Sequence, residues 1–242
     1  MKLIGTKVVT GYVEVMTGLH IGAGKDAIEI GGVDNPVVKN PYTREPYIPG
    51  SSLKGKLRCL MEWATNRVES SGDTWQGGGE TNPEVLAADP VLRIFGTTLK
   101  TWMAGPTRLI VRDCPFKREW RDRLVEMGLP FTEEKFENNI NRIQGKAGVG
   151  IRKTERVPAG SQFDLTILYR VFDTGDEGRT DEAYFEHLLA AMRLLEHDCL
   201  GGSGSRGYGR IRFRGLRLNG EDIQERFESI SPEKILEIRR SA

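Results

Sequence analysis

Histidine and cysteine are scarce in this chain: three of each occur among 242 residues. The cysteines, Cys59, Cys114 and Cys199, are odd in number and far apart, which excludes a disulfide framework and a Cys-x-x-Cys zinc site. His20, His187 and His197 are too scattered for a histidine metal cage. No apolar run approaches the roughly 18 residues that span a membrane. The N-terminal stretch MKLIGTKVVTGYVEV alternates like a strand and lacks the apolar core of a signal peptide. These absences predict a cytoplasmic protein with no membrane partner. The formal net charge is only +1, so charge balance alone selects no class of partner.

What is present is a chain long enough to bury a core, with 38% apolar and 29% charged residues, as expected of a soluble globular protein. Its charge is unevenly spread. Residues 39–67 and 135–156 each carry six basic and two acidic side chains, and residues 201–217 carry five arginines and no acid. Basic charge gathered in three segments is the footprint of a polyanion partner such as nucleic acid.

Hydrophobic periodicity predicts strands at 7–15, 107–113, 162–171 and 208–218, the last with arginines on its second face. A helix is expected over 51–68, with Leu53, Leu57, Leu60, Met61, Ala64 and Val68 on one face and Ser51 or Ser52 as N-cap. A second helix, about 181–198, buries Phe185, Leu188, Leu189, Met192 and Leu195 and stops at Gly201-Gly202. A short C-terminal helix is expected from Ser231-Pro232. Strand, helix, strand, strand, helix, strand is the α+β, ferredoxin-like βαββαβ order that RNA-recognition (RRM) domains share. Insertions of about 16–50, 69–106 and 114–160 interrupt it; the second is acidic and glycine-rich and reads as mobile. The chain is taken as one domain, 1–242.

Four motifs bear on chemistry. Gly50-x4-Gly55-Lys56 nearly matches a phosphate-binding P-loop, but Leu57 replaces the metal-holding Ser or Thr and Pro46 and Pro49 spoil the preceding strand, so nucleotide hydrolysis is set aside. A helix N-terminus with Ser51, Ser52, Lys54 and Arg58 suits a backbone phosphate as well as it suits an ordinary capped helix. The stretch LGGSGSRGYGR, 200–210, follows a helix and precedes a strand, the reverse of a dinucleotide-binding order. Its glycines permit close backbone approach to an anion. Residues 134–163 read as a projecting hairpin with basic flanks. Asp34, before Asn-Pro, is a turn former or a lone catalytic acid; its nearest acids are Asp26 and Glu29, and no partner stands at metal-ligand spacing.

Taken together, TGLHIGAG, GVDNPVVKNP, YIPGSSLKGKLR, IFG, KFENNINRI, ERVPAGSQF and LGGSGSRGYGRI resemble the repeat-associated mysterious protein (RAMP) superfamily of CRISPR–Cas systems. Within it they resemble the backbone subunits of type III-A Csm effector complexes. The resemblance runs from about residue 17 to 214; the acidic stretch 69–90 and the tail after 218 match no motif. It implies that copies of the chain stack into a helical filament along one CRISPR RNA, alongside other Csm subunits. It implies that guide RNA is held by His20, by Ser51, Ser52, Lys54, Lys56 and Arg58, and by the loop Gly201, Gly202, Ser203, Gly204, Ser205, Arg206 and Gly207. Lys135, Asn138, Arg142 and Arg156 fall on or beside a thumb-like hairpin that displaces a nucleotide at regular intervals. Asp34 matches the aspartate that cleaves bound single-stranded target RNA with a divalent metal, Mg2+ or alternatively Mn2+, for which Asp34 is the candidate ligand. No zinc cluster of the kind some members carry is present. The rival expectations are a type III-B backbone subunit, a scaffold that binds guide RNA without cutting, and a stand-alone guide-processing enzyme.

Overall fold

The computed structural model describes residues 1–24 and 34–233, the Val149 side chain excepted. Asp26, Glu29 and most of the helix expected from Ser231 lie outside the described residues. In chain order the elements are β1 (Lys2–Val15), α1 (Gly50–Ala64), α2 (Pro83–Ala87), α3 (Pro90–Phe95), β2 (Leu109–Val111), α4 (Arg118–Glu126), β3 (Glu133–Asn141), β4 (Lys146–Arg156), β5 (Gln162–Asp173), α5 (Arg179–Glu196), β6 (Ile211–Leu218), β7 (Glu221–Asp222) and α6 (Gln224–Ser229). It is a mixed α/β architecture with two antiparallel sheets: five strands in the order β2-β5-β1-β6-β7, and the separate hairpin β3-β4.

The main sheet buries one face. In β5, Phe163, Leu165, Ile167, Tyr169 and Val171 point into the core, at the two-residue period of a strand. In β6 the buried residues Phe213 and Leu216 stand three apart, which a regular strand forbids. A bulge shifts the register between Thr10↔Arg217 and Tyr12↔Arg214, and Gly215, at φ +58°, takes the left-handed conformation the extra residue needs. Against this face lie α1, through Leu53, Leu57, Leu60 and Met61, and α5, through Phe185, Leu188, Leu189, Met192 and Leu195. Each such side chain contributes about 1.5–3 kcal/mol relative to exposure.

Several expected boundaries shift. Helix α1 ends at Ala64, because Asn66 adopts a left-handed φ of 57°; Val68 is exposed, not on the buried face. Neither Ser51 nor Ser52 caps it. Pro49 is the cap residue, and the Asp113 carboxylate accepts the Gly50 N–H at 2.7 Å instead. Helix α5 stops at Glu196, before Gly201-Gly202, so that pair terminates nothing. The short helix α6, which buries Phe227, escapes sequence reading.

The stretch 69–106, which composition marks as a mobile insertion, is partly core: Val91, Ile94 and Phe95 of α3 join the main hydrophobic cluster. It is tied down by charge. Asp181, fully buried on α5, accepts from Arg93 Nε at 2.6 Å, Arg108 Nε at 2.8 Å and the Phe172 N–H at 2.8 Å. One carboxylate thereby joins α3, β5 and α5 to the residue that precedes β2. Among the described residues, no helix is long and apolar enough to cross a membrane.

Candidate nucleic-acid interface

Strand β4 organises the site. One edge pairs with β3, Glu133 opposite Arg156 and Glu137 opposite Arg152. The other edge meets the loop after β1: Asn35 bridges Thr154, and the Asn35 carbonyl accepts the Glu155 N–H at 3.1 Å. That pairing sets Asp34. Its Oδ2 accepts the Lys153 N–H at 3.0 Å, the side chain is exposed, and no other hydrogen-bond partner of its carboxylate occurs among the described residues. Beyond β4 the line continues into Leu19↔Val157, and His20 Nδ1 lies 2.7 Å from the Glu155 carbonyl.

The glycine-rich loop closes on the same histidine. The Gly202 N–H donates to the His20 carbonyl at 2.8 Å. Gly201 stands at φ +77°, and a Cβ there would fall 2.3 Å from the His20 oxygen, so only glycine fits. A Cβ at Gly204 would fall 1.9 Å from Cys199 Sγ. Gly202 is under no such constraint. Behind the loop, Gly204, Ser205, Gly207, Tyr208 and Arg210 line an open groove of about 560 Å3 with Thr17, Glu196, His197, Asp198 and Cys199.

Glu155, which the sequence does not single out, is a junction of this platform. Its buried carboxylate accepts from the Val37 N–H at 2.9 Å and Thr132 Oγ1 at 2.7 Å, and pairs with Lys39. Burial works against its ionisation, but the Lys39 and Thr132 contacts outweigh it and hold the carboxyl below the usual range. Tyr208 is also missed, although it stands inside the glycine motif. Its ring is buried, its hydroxyl donates to Glu137 at 3.0 Å, and Lys135 and Arg156 lie over the ring. The available signal was the alternation Glu133, Lys135, Glu137, which puts three charges on one face of a strand.

The predicted residues divide into two groups. Asp34, His20, Gly201 to Gly207, Lys135 and Arg156 are brought together by β4 and its neighbours. Arg206 joins them, 3.5 Å from Glu137. Asn138 and Arg142 lie exposed farther out along the hairpin. Ser51 is exposed and Ser52 half-buried at the start of α1. Lys56 reaches the groove wall through Asp198 at 3.2 Å. Lys54 and Arg58, whose spacing predicts a phosphate-gripping face, instead turn inward. Lys54 donates to Thr107 Oγ1 at 3.4 Å and the Leu109 carbonyl at 3.2 Å; burial, with Arg58 and Arg170 nearby, lowers its pKa. Arg58 donates to Glu62 at 2.7 Å, the Gly96 carbonyl at 3.1 Å and the Trp75 carbonyl at 2.6 Å.

That geometry makes Arg58 a brace for the 69–106 segment. Arg58→Ala is therefore expected to cost about 2–3 kcal/mol, because Glu62 is left poorly paired and two carbonyls lose their donor. Thermal melts should show Tm lower by roughly 5–9 °C. An unchanged Tm would return Arg58 to the surface role.

For a metal, Asp34 is the one candidate ligand that the sequence offers. Among the described residues, no group of three His, Cys, Asp or Glu side chains is placed to hold an ion. A single exposed carboxylate does not make a protein cage. It fits the hard-cation arrangement in which one or two carboxylates and the substrate's own phosphate oxygens complete the shell.

A family model of the RAMP superfamily matches residues 12–212. The chain is 39% identical to the CRISPR system Cms endoribonuclease Csm3 of Methanothermobacter thermautotrophicus, over 93% of this chain and 90% of that one. Among solved structures it is similar to Csm3 of Methanopyrus kandleri, with TM-score 0.60 and 26% identity over 88% of this chain and 77% of that one. It is also similar to a chain of a Csm3–Csm4 subcomplex from the type III-A CRISPR–Cas interference complex, with TM-score 0.54 and 25% identity, covering 100% and 98%.

Proposed function

The chain belongs to the RAMP superfamily, and on that premise we propose that it is a backbone subunit of a type III-A CRISPR–Cas effector complex, an endoribonuclease that binds CRISPR RNA and cleaves complementary target RNA. The observation that carries this reading is that Asp34 and His20 both bond to one strand, β4, and that the loop Gly201 to Gly207 closes on His20. A loop of small residues and a lone exposed acid on a rigid track suit a site that holds one RNA strand and cuts another.

In this reading residues 1–242 form one RAMP domain. The antiparallel order β2-β5-β1-β6 with α1 and α5 as crossovers supports a ferredoxin-like core, and the hairpin β3-β4 acts as the thumb. The guide backbone lies against the glycine loop, Ser51, Ser52 and Lys56. Copies of the chain stack along the guide as a filament, joined by other Csm subunits, in the cytoplasm. The thumb splays the target backbone near Asp34. The 2′-hydroxyl there attacks the adjacent phosphate and gives up its proton to Asp34, and the 5′-oxygen departs as a hydroxyl by taking a proton from water, leaving a 2′,3′-cyclic phosphate behind. Alternatively, Asp34 would hold a divalent ion, Mg2+ or Mn2+, which would supply Lewis-acid stabilisation of the phosphate charge. β4 fixes Asp34 for either role through the Lys153 N–H.

Purification of the assembled complex followed by sequencing of its RNA tests the reading. The expected result is one class of RNA with repeat-derived 5′ ends followed by spacers. Random cellular RNA, or none, would overturn it. Cleavage that persists in EDTA would favour the guide-processing enzyme, and faithful binding without cleavage in Mg2+ or Mn2+ would leave a scaffold.

A further inference from the structure

On β3, Glu133, Lys135 and Glu137 share the face that meets the glycine loop. The Glu137 carboxylate is held there by three donors from two elements. Tyr208 OH donates to Oε1 at 3.0 Å, Arg206 Nε lies 3.5 Å from Oε2, and Lys135 Nζ lies 3.6 Å from Oε1. Lys135 and Arg156 also stand over the Tyr208 ring, at 4.4 Å and 5.2 Å from its centroid. The site opens to solvent at Arg206, whose side chain is 56% exposed, while that of Glu137 is 20% exposed and Tyr208 lies buried behind it. It borders the groove that Ser205, Gly207 and Tyr208 line. Guanidinium, ammonium and phenol aimed at two coplanar oxygens are the donors that also bind a phosphodiester.

We propose that Arg206, Tyr208 and Lys135 form an oxyanion site for one backbone phosphate of RNA, and that in the free subunit Glu137 occupies it. This rests on the reading of the glycine loop as an RNA-binding element. The carboxylate and the phosphate compete. Both bring negative charge to the same donors, and like charges cannot share them. A backbone phosphate therefore enters only as the flexible Glu137 side chain swings out, which frees three donors at once. The device holds the loop in its binding shape when RNA is absent and weakens the attachment of isolated subunits to stray RNA.

The test uses the full chain and a fluorescein-labelled single-stranded RNA oligonucleotide, with binding followed by anisotropy over a range of salt. Glu137→Gln keeps the size of the side chain and removes its charge. It should raise affinity about five- to tenfold at low salt and steepen the plot of log affinity against log salt by about 0.7, one phosphate contact for a single strand. Glu134→Gln is the control. It makes the same change in net charge on the opposite face of the same strand, and should raise affinity less than twofold with no change of slope. A wild type that binds RNA while the two variants behave alike would overturn the proposal alone. A fall in affinity with Glu137→Gln would make Glu137 a brace and overturn it too. If folded wild type and Glu137→Gln both fail to bind RNA, the RNA-binding reading of the loop fails with it.

Discussion

Replacing Asp34 by alanine is expected to slow cleavage of a complementary target RNA by about a hundredfold or more, the scale on which a lost acid–base group is felt. Binding of guide and target should stay within about twofold, because a carboxylate adds nothing attractive toward a polyanion. The fold should also survive. Asp34 is exposed, and among the described residues its carboxylate bonds only to the Lys153 N–H, while the pairing of residue 35 with β4 runs through backbone atoms. Asp34→Asn keeps that acceptor and tests the point: it should be as inactive as alanine if the charge is what matters. Assembled complexes carrying each variant, assayed with Mg2+ or Mn2+, should release no fragments ending in 2′,3′-cyclic phosphate at the wild-type rate. If either variant cuts normally, Asp34 is a turn former, and the search moves to His20, which lies on the same platform.

Gly201→Val should abolish retention of guide RNA, with affinity reduced tenfold or more. The backbone at residue 201 is left-handed at φ +77° and a Cβ would meet the His20 carbonyl at 2.3 Å. A β-branched side chain meets both penalties, of which backbone strain alone is about 1–3 kcal/mol. The loop must then move, and the Gly202 N–H loses the His20 carbonyl it holds at 2.8 Å. Gly202→Ala is the informative comparison. Its Cβ would make an ordinary contact, 3.5 Å from His20 Cδ2, so it should bind nearly as well as wild type. Arg206→Ala should fall between them, since it removes one charge and keeps the backbone. A larger loss with Arg206→Ala than with Gly201→Val would mean that the loop works by charge, not by close approach.

The contrast between these neighbouring glycines shows where sequence reading stopped. The motif GGSGSRGYG marks a loop of close approach because five glycines exceed what any turn needs. It does not say which glycine is indispensable, since that depends on the His20 carbonyl, some 180 residues earlier in the chain. Lys54 and Arg58 illustrate the same limit. Their i, i+4 spacing places them on one side of α1, and a basic side of a helix reads as exposed. The side they occupy is covered by the Thr107 to Leu109 region and by the 69–106 segment, whose motif IFG does not tell that the Gly96 carbonyl meets Arg58.

By itself the sequence determined the alternation of strands and helices, the buried stripes of α1 and α5, the glycine loop, and the superfamily to which these motifs belong. Those features rest on local periodicity and on backbone conformations that few residues tolerate. Only the tertiary structure decided which charges remain available. It turned Lys54 and Arg58 inward, gathered Arg93 and Arg108 on Asp181, brought Asp34 and His20 to the one strand β4, and closed the glycine loop on His20. Those outcomes depend on distances between residues far apart in the chain, and a charge has no fixed role until the folded chain sets what stands within hydrogen-bond reach of it.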